Sequence, residues 1–213
     1  HDDPDLFVGA RHLGADGRNA TGWPAEGLPL ASDFVHRYSE HLVMVPDGAG
    51  GAWVAWDSGE RIFLAHVRAG GLVAAYAREI ADPLAPGADR RLVANSDPHS
   101  EPDRAAKGPL DVQPSIAPDG AGGVLMTWVQ DLLYTTYPVV ARFDPDARLL
   151  WSVNLNQSWP GEPAICSDGS RGAIVTWNHW TSDGIEVRAN HITASAVRSS
   201  CNTQPAAAIC GPP

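Results

Sequence analysis

The chain is poor in cysteine and in positive charge, and it has no long apolar run; each shortage excludes something. Three cysteines in 213 residues cannot all pair with one another, and no C-x-x-C or Cys/His spacing supports a zinc site. Cys201 and Cys210 are close enough in sequence to close a small loop. Cys166 sits in the apolar stretch EPAIC and is expected to be a small buried hydrophobe, not a nucleophile. Lysine and arginine number 15 against 25 acids, a net charge of -10. That argues against a general nucleic-acid binder, which needs a basic face to displace counterions. No apolar stretch approaches the roughly 18 to 20 residues that span a bilayer as a helix, so no membrane span is expected. A basic-then-apolar leader is also lacking. Either the chain is cytoplasmic or a signal has been removed; with His1 an odd translation start, processing or trimming of the N-terminus is expected.

Glycine and proline, in contrast, are plentiful at 21 and 18 residues, which suits many short strands joined by tight turns. One turn is written three times: DGAGGAWVAW from residue 47, DGAGGVLMTW from 119 and DGSRGAIVTW from 168. Asp-Gly followed by Gly or Ser supplies the positive-φ positions of a tight hairpin. Alternation beyond each turn places Ala52, Val54 and Trp56 on one face, with Trp53 and Ala55 on the other. The copies beginning at 119 and 168 divide in the same way, so both faces of each strand are apolar or small. Strands dry on both sides belong in sheets that stack on neighbouring sheets, and repetition of that unit about an axis is a propeller.

The flanking segments complete a unit of four strands. HLVMVPDG, QPSIAPDG and EPAICSDG enter the three turns. RIFLAHVRAGG, YPVVARFDPDA and GIEVRANHITAS supply third strands, and RLLWSVNLN a fourth. The expected fold is an all-β propeller of four-stranded blades of roughly 45–50 residues, with about four blades or a partial ring. The blades are expected at 36–83, 111–160 and 161–200, after a half blade at 1–35. The second turn follows the first by 72 residues and the third follows the second by 49. The surplus lies at 84–110, polar and aperiodic, and reads as a surface insertion. TQPAAAIC, within 201–213, resembles a further entering strand and reads as the start of another blade or a closing strand.

Pro114, Ile116, Asp119, Gly120, Gly122, Gly123 and Trp128 resemble the bacterial propeller repeats, unrelated to WD40, that carry P-x-I-x-x-D-G-x-G-G-A-x-V-x-W. The later Ala-Gln-Arg-like triplet of those repeats survives as Gly9-Ala10-Arg11 and Ala141-Arg142. The repeats are also similar to the sialidase Asp-box, although Trp177 follows Ser167-Asp168-Gly169 at too great a distance for the usual box. The resemblance implies a secreted or cell-surface bacterial propeller, often part of a longer protein. It is specific for fold and weak for function.

Asp47, Asp119 and Asp168 are expected to cap their turns by accepting backbone N–H bonds, and Trp56, Trp128 and Trp177 to pack in the core. The segments after those tryptophans differ between copies and are read as variable loops, where recognition usually resides. His179, Trp180 and Asp183 in one, with Tyr134 and Tyr137 in another, offer aromatic faces beside hydrogen-bonding groups. Those five are the candidate ligand-binding residues, suited to a carbohydrate or a peptide.

FDPDAR at 143–148 and HDDPDL at 1–6 are acidic, but lack the oxygen-ligand spacing of a calcium loop; calcium is a minor alternative and no cofactor is expected. His1 with a free amine offers copper little without partner ligands. Asn19 and Asn156 head formal glycosylation triplets. No G-x-S-x-G, H-E-x-x-H, Walker or Rossmann motif occurs, and no catalytic residue is assigned. The expected function is a non-catalytic, extracytoplasmic binding or assembly module with a protein or carbohydrate partner. One alternative is a sialidase-like glycoside hydrolase with its site at the hub. Another is a structural subunit that completes its propeller with a second chain through open blade edges.

Overall fold

A computed structural model of the protein describes residues 8–30, 40–58, 61–71, 73–79, 110–132, 135–155 and 160–199. Of the expected insertion at 84–110, all but Leu110 lies outside them, as do the pair Cys201 and Cys210, the acidic segment 1–6, Asn156 and Tyr134. Among the described residues there is no helix. Strands β1 (Gly9–Ala10) and β2 (Leu28–Pro29) pair as a two-stranded sheet. Three four-stranded antiparallel sheets follow. The first is β3 (Glu40–Pro46), β4 (Ala52–Ser58), β5 (Arg61–Val67) and β6 (Val73–Glu79). The second is β7 (Leu110–Pro118), β8 (Val124–Leu132), β9 (Thr135–Phe143) and β10 (Leu149–Asn154). The third is β11 (Pro160–Ser167), β12 (Ala173–Thr181), β13 (Gly184–Ile192) and β14 (Arg198–Ser199). Each is a meander in which neighbours in sequence are neighbours in the sheet.

The alternation read from the sequence decides how the sheets pack. Val54 and Trp56 turn back toward β1 and β2, against Val8, Ala10, Trp23, Leu28 and Leu30. Trp53 and Ala55, on the opposite face, meet Met126 and Trp128 of the second sheet. Leu125 faces onward, toward Val175 and Trp177 of the third. Each repeat tryptophan therefore packs on the preceding sheet. Burial of each such side chain contributes on the order of 2–3 kcal/mol. The sheets stand in series; a closed ring is not shown by the described residues.

Two expectations are corrected. The strands do not end at the tryptophans: β4, β8 and β12 run on to Ser58, Leu132 and Thr181. Cross-strand pairing continues through Asp57↔Ile62, Gln130↔Tyr137 and Trp180↔Ile185, so the supposed loops are largely strand. Their polar residues are tolerated because they gather at one end of each sheet. Cys166 is exposed and free, because no described residue covers its face of the third sheet as the matching faces of the other two are covered.

Candidate functional site

The sheets have two ends, and these differ in chemistry. At the DG turns one device recurs. Asp47 Oδ1 accepts from Ala49 N–H at 2.7 Å and Gly51 N–H at 2.8 Å. Asp119 Oδ1 accepts from Ala121 and Gly123, and Asp168 Oδ1 from Ser170 and Gly172. The second oxygen of each carboxylate meets a nitrogen base from the third strand of its own sheet. His66 Nε2 lies 3.1 Å from Asp47 Oδ2, and His191 Nε2 2.8 Å from Asp168 Oδ2. Arg142 donates to Asp119 Oδ2 through Nε at 2.9 Å and Nη2 at 2.7 Å. The sequence reading found the cap but missed this partner, although Arg142 was visible in the triplet.

His66 also ties two sheets together. Its Nδ1 lies 2.8 Å from the carbonyl of Pro145 in the second sheet, and its ring stacks on Trp53 at 4.1 Å. Both ring nitrogens face oxygen acceptors, so only the doubly protonated ring makes both bonds at once. The Trp53 indole N–H donates to the carbonyl of Gly122, again in the second sheet.

Burial opposes the charge on Asp47, but the bonds from Ala49, His66 and Gly51 and the charge of His66 outweigh it and hold the carboxyl below its ordinary 3.8. Asp168 is lowered in the same way: burial opposes, while His191, Ser170 and Gly172 prevail. A carboxyl depressed in the folded state adds stability that is complete above its unfolded value and lost as pH falls through the folded one. Urea midpoints are therefore expected to hold down to about pH 4 and to fall below it, with a shallower fall in Asp168→Asn than in wild type. An Asp168→Asn acid limb as steep as wild type would refute that assignment.

At the opposite end the sheets share a backbone but not side chains. Six residues before each turn aspartate stand His41, Gln113 and Glu162, with positive φ of 45°, 58° and 47°. Each lies at a register shift in the pairing of its leading strand. A bulge aims a side chain away from the regular ladder, and left-handed backbone at a non-glycine residue costs roughly 1–2 kcal/mol. The plan accepts that cost three times.

A chain of hydrogen bonds crosses all three sheets at these bulges. His41 Nδ1 lies 2.9 Å from Asp57 Oδ2, which also accepts from Gln113 N–H at 2.9 Å. Gln113 Oε1 accepts from Glu162 N–H at 3.2 Å. Glu162 Oε2 accepts from the Asn178 amide at 3.1 Å. Asp57 is buried, and its Oδ1 has no hydrogen-bond partner; His41 and Glu162 are exposed. A half-exposed imidazole oriented by a buried carboxylate can accept or donate a proton. Among the described residues no hydroxyl or thiol is hydrogen-bonded to His41.

Of the candidates named from the sequence, the described ones, His179, Trp180, Asp183 and Tyr137, lie at this same end but do not converge. His179 shares a face with Trp177, toward the second sheet, half-buried, and its buried Nδ1 lacks a partner. Trp180 takes the opposite face by alternation, 57% exposed. A Cβ built on Gly161 would lie 3.5 Å from its indole nitrogen, so Trp180 lies against the strand that carries Glu162. Asp183 sits in the β12–β13 turn, where its Oδ1 accepts from the Ser182 hydroxyl. Tyr137 lies opposite Gln130, on the side of the second sheet that faces the first. Sequence reasoning missed His41, Asp57, Gln113, Glu162 and Asn178. The signal was a fixed place six residues before the aspartate filled by a different polar residue in each copy.

The acids of 143–148 are engaged in their own turn, Asp144 Oδ1 accepting from Asp146 and Arg148 N–H. No cluster of three or more metal-ligating side chains occurs among the described residues, and no helix there is long and apolar enough to cross a membrane. No family model matches the chain, and a search among curated proteins returns no match.

Proposed function

We propose that the chain is a non-catalytic, extracytoplasmic binding module of β-propeller type, which engages a carbohydrate or a protein partner through the end that carries the bulges. One observation carries this reading. A scaffold built on one plan at its turn end presents His41, Gln113 and Glu162 at one backbone position of the other end, joined by a continuous hydrogen-bond chain. Scaffold constancy with local variation is how recognition surfaces are built. The propeller arrangement is supported by the leading strands: β7 lies beside β3 and β11 beside β7, as strands around one axis would. Against the glycosidase alternative, Arg142 is committed to Asp119 and is not free to form part of an arginine triad.

The test is to probe glycan and peptide arrays with wild type and with the triple variant His41→Ala/Glu162→Ala/Trp180→Ala. Wild type is expected to bind a restricted set, and the variant to lose about tenfold or more in affinity, the scale of removing two or three anchoring contacts. A blank wild-type array, or undiminished binding by the variant, would overturn the reading. Turnover of a fluorogenic sialoside would favour the hydrolase instead.

A further inference from the structure

The outward face of the third sheet breaks a rule that the other two obey. Seven residues beyond the start of each turn motif, counting its aspartate as the first, stand Trp53, Leu125 and Ile174. Trp53 and Leu125 are fully buried, whereas Ile174 is 42% exposed. Two residues before the turn aspartate, Ala117 is buried and Val45 is packed into the core, but Cys166 is exposed. Across the sheet, Ile62 and Pro138 are buried while the matching Val187 is 74% exposed. Ile185 and Trp180 extend the same uncovered apolar face. Exposed apolar faces of this extent mark an interaction surface.

The fold shows what covers this face elsewhere. At both junctions the leading strand of the next sheet lies across three strands of the sheet before it: β7 against β3, β4 and β5, and β11 against β7, β8 and β9. These leading strands carry Gln113-Pro114-Ser115 and Glu162-Pro163-Ala164 at the bulge, with both prolines buried. The same pattern occurs once more, as Gln204-Pro205-Ala206 in TQPAAAIC, which lies outside the described residues.

We propose that residues 203–210 dock on the outward face of the third sheet as a further leading strand. In that register Ala207 matches Ile116 and Ile165, which pack toward the preceding sheet. Ala207 and Ile209, two residues apart, share the face that meets Ile174, Val187 and Cys166. The proposal rests on the series of sheets and on Ile174, Val187 and Cys166, and uses neither His41 nor Glu162 of the bulge end.

Cys166 reports on the docking directly. In the full chain with Cys201→Ser and Cys210→Ser it is the sole thiol. Its reaction with dithionitrobenzoate is compared with that of the same protein carrying Ala207→Asp and Ile209→Asp. The paired charges are expected to raise the rate about tenfold or more, because labelling then no longer waits for local opening. Amide exchange at Leu125 and Val175 should stay unchanged, which shows that the sheets remain folded. Equal rates in the two proteins, fast or slow, would overturn the proposal. So would a slow rate that rises on dilution, since a second copy would then be the cover. Loss of array binding with the labelling difference intact would sink the function proposed above and leave this docking standing.

Discussion

Asp119→Ala is expected to destabilise the protein by about 3–5 kcal/mol, the usual cost of removing one partner of a buried ion pair. The substitution withdraws the acceptor from Ala121 and Gly123 N–H. It also strands Arg142, whose side chain is only 12% exposed, in a site shaped for a carboxylate. The same change at Asp168 should cost less, about 1–2 kcal/mol, because His191 is 35% exposed and water compensates. Urea denaturation with a common slope measures both. The double variant Asp119→Ala/Arg142→Leu separates cap from charge. It should recover a substantial part of the loss, since an unpaired buried guanidinium costs more than a missing turn bond. Similar small losses at both sites, or no recovery in the double variant, would mean that the turn carries the stability and the pair adds little.

This pairing also shows where the sequence was legible and where it was not. The turn, its capping aspartate and the two-faced strands follow from local chemistry: alternation, and glycine where φ is positive. The stacking order follows too, because Trp53 and Trp56 on opposite faces need a neighbour on each side. Strand ends were less legible, since polar side chains such as Asn178 and Trp180's neighbour Thr181 look like loop in one dimension and become strand once Val187 and Gly184 pair with them. The bulge chain was hidden for another reason. His41, Asp57, Gln113 and Glu162 are distant in sequence and meet only because the leading strands lie side by side. Cys166 could not be placed from its own strand, whose sequence matches those of covered strands, because burial depends on what packs on the next face.

Gly123→Ala is the other change of large effect, and it tests why the turn closes on glycine in all three copies. A Cβ at Gly123 would be driven into the carbonyl oxygen of Phe143, and to 2.8 Å from Asp119 Oδ2. Gly51 and Gly172 meet the carbonyls of Val67 and Ile192 in the same way. Both neighbours are thus fixed, one by the ladder and the other as the capping aspartate, and neither can move without breaking what holds the turn. The expected loss is about 3 kcal/mol or more, the upper range for overpacking at a rigid site. Gly120→Ala is the control. It has nothing within 4 Å of the new methyl and a φ of 77°, so only the backbone term remains, about 1–2 kcal/mol. The third copy shows that this backbone term alone is tolerable, since Arg171 occupies positive φ at 69° where the other copies have Gly50 and Gly122. Steric contact, not backbone freedom, is therefore what reserves the last position of the turn for glycine. A Gly123→Ala protein no less stable than Gly120→Ala would show instead that β8 and β9 can part at this point without loss.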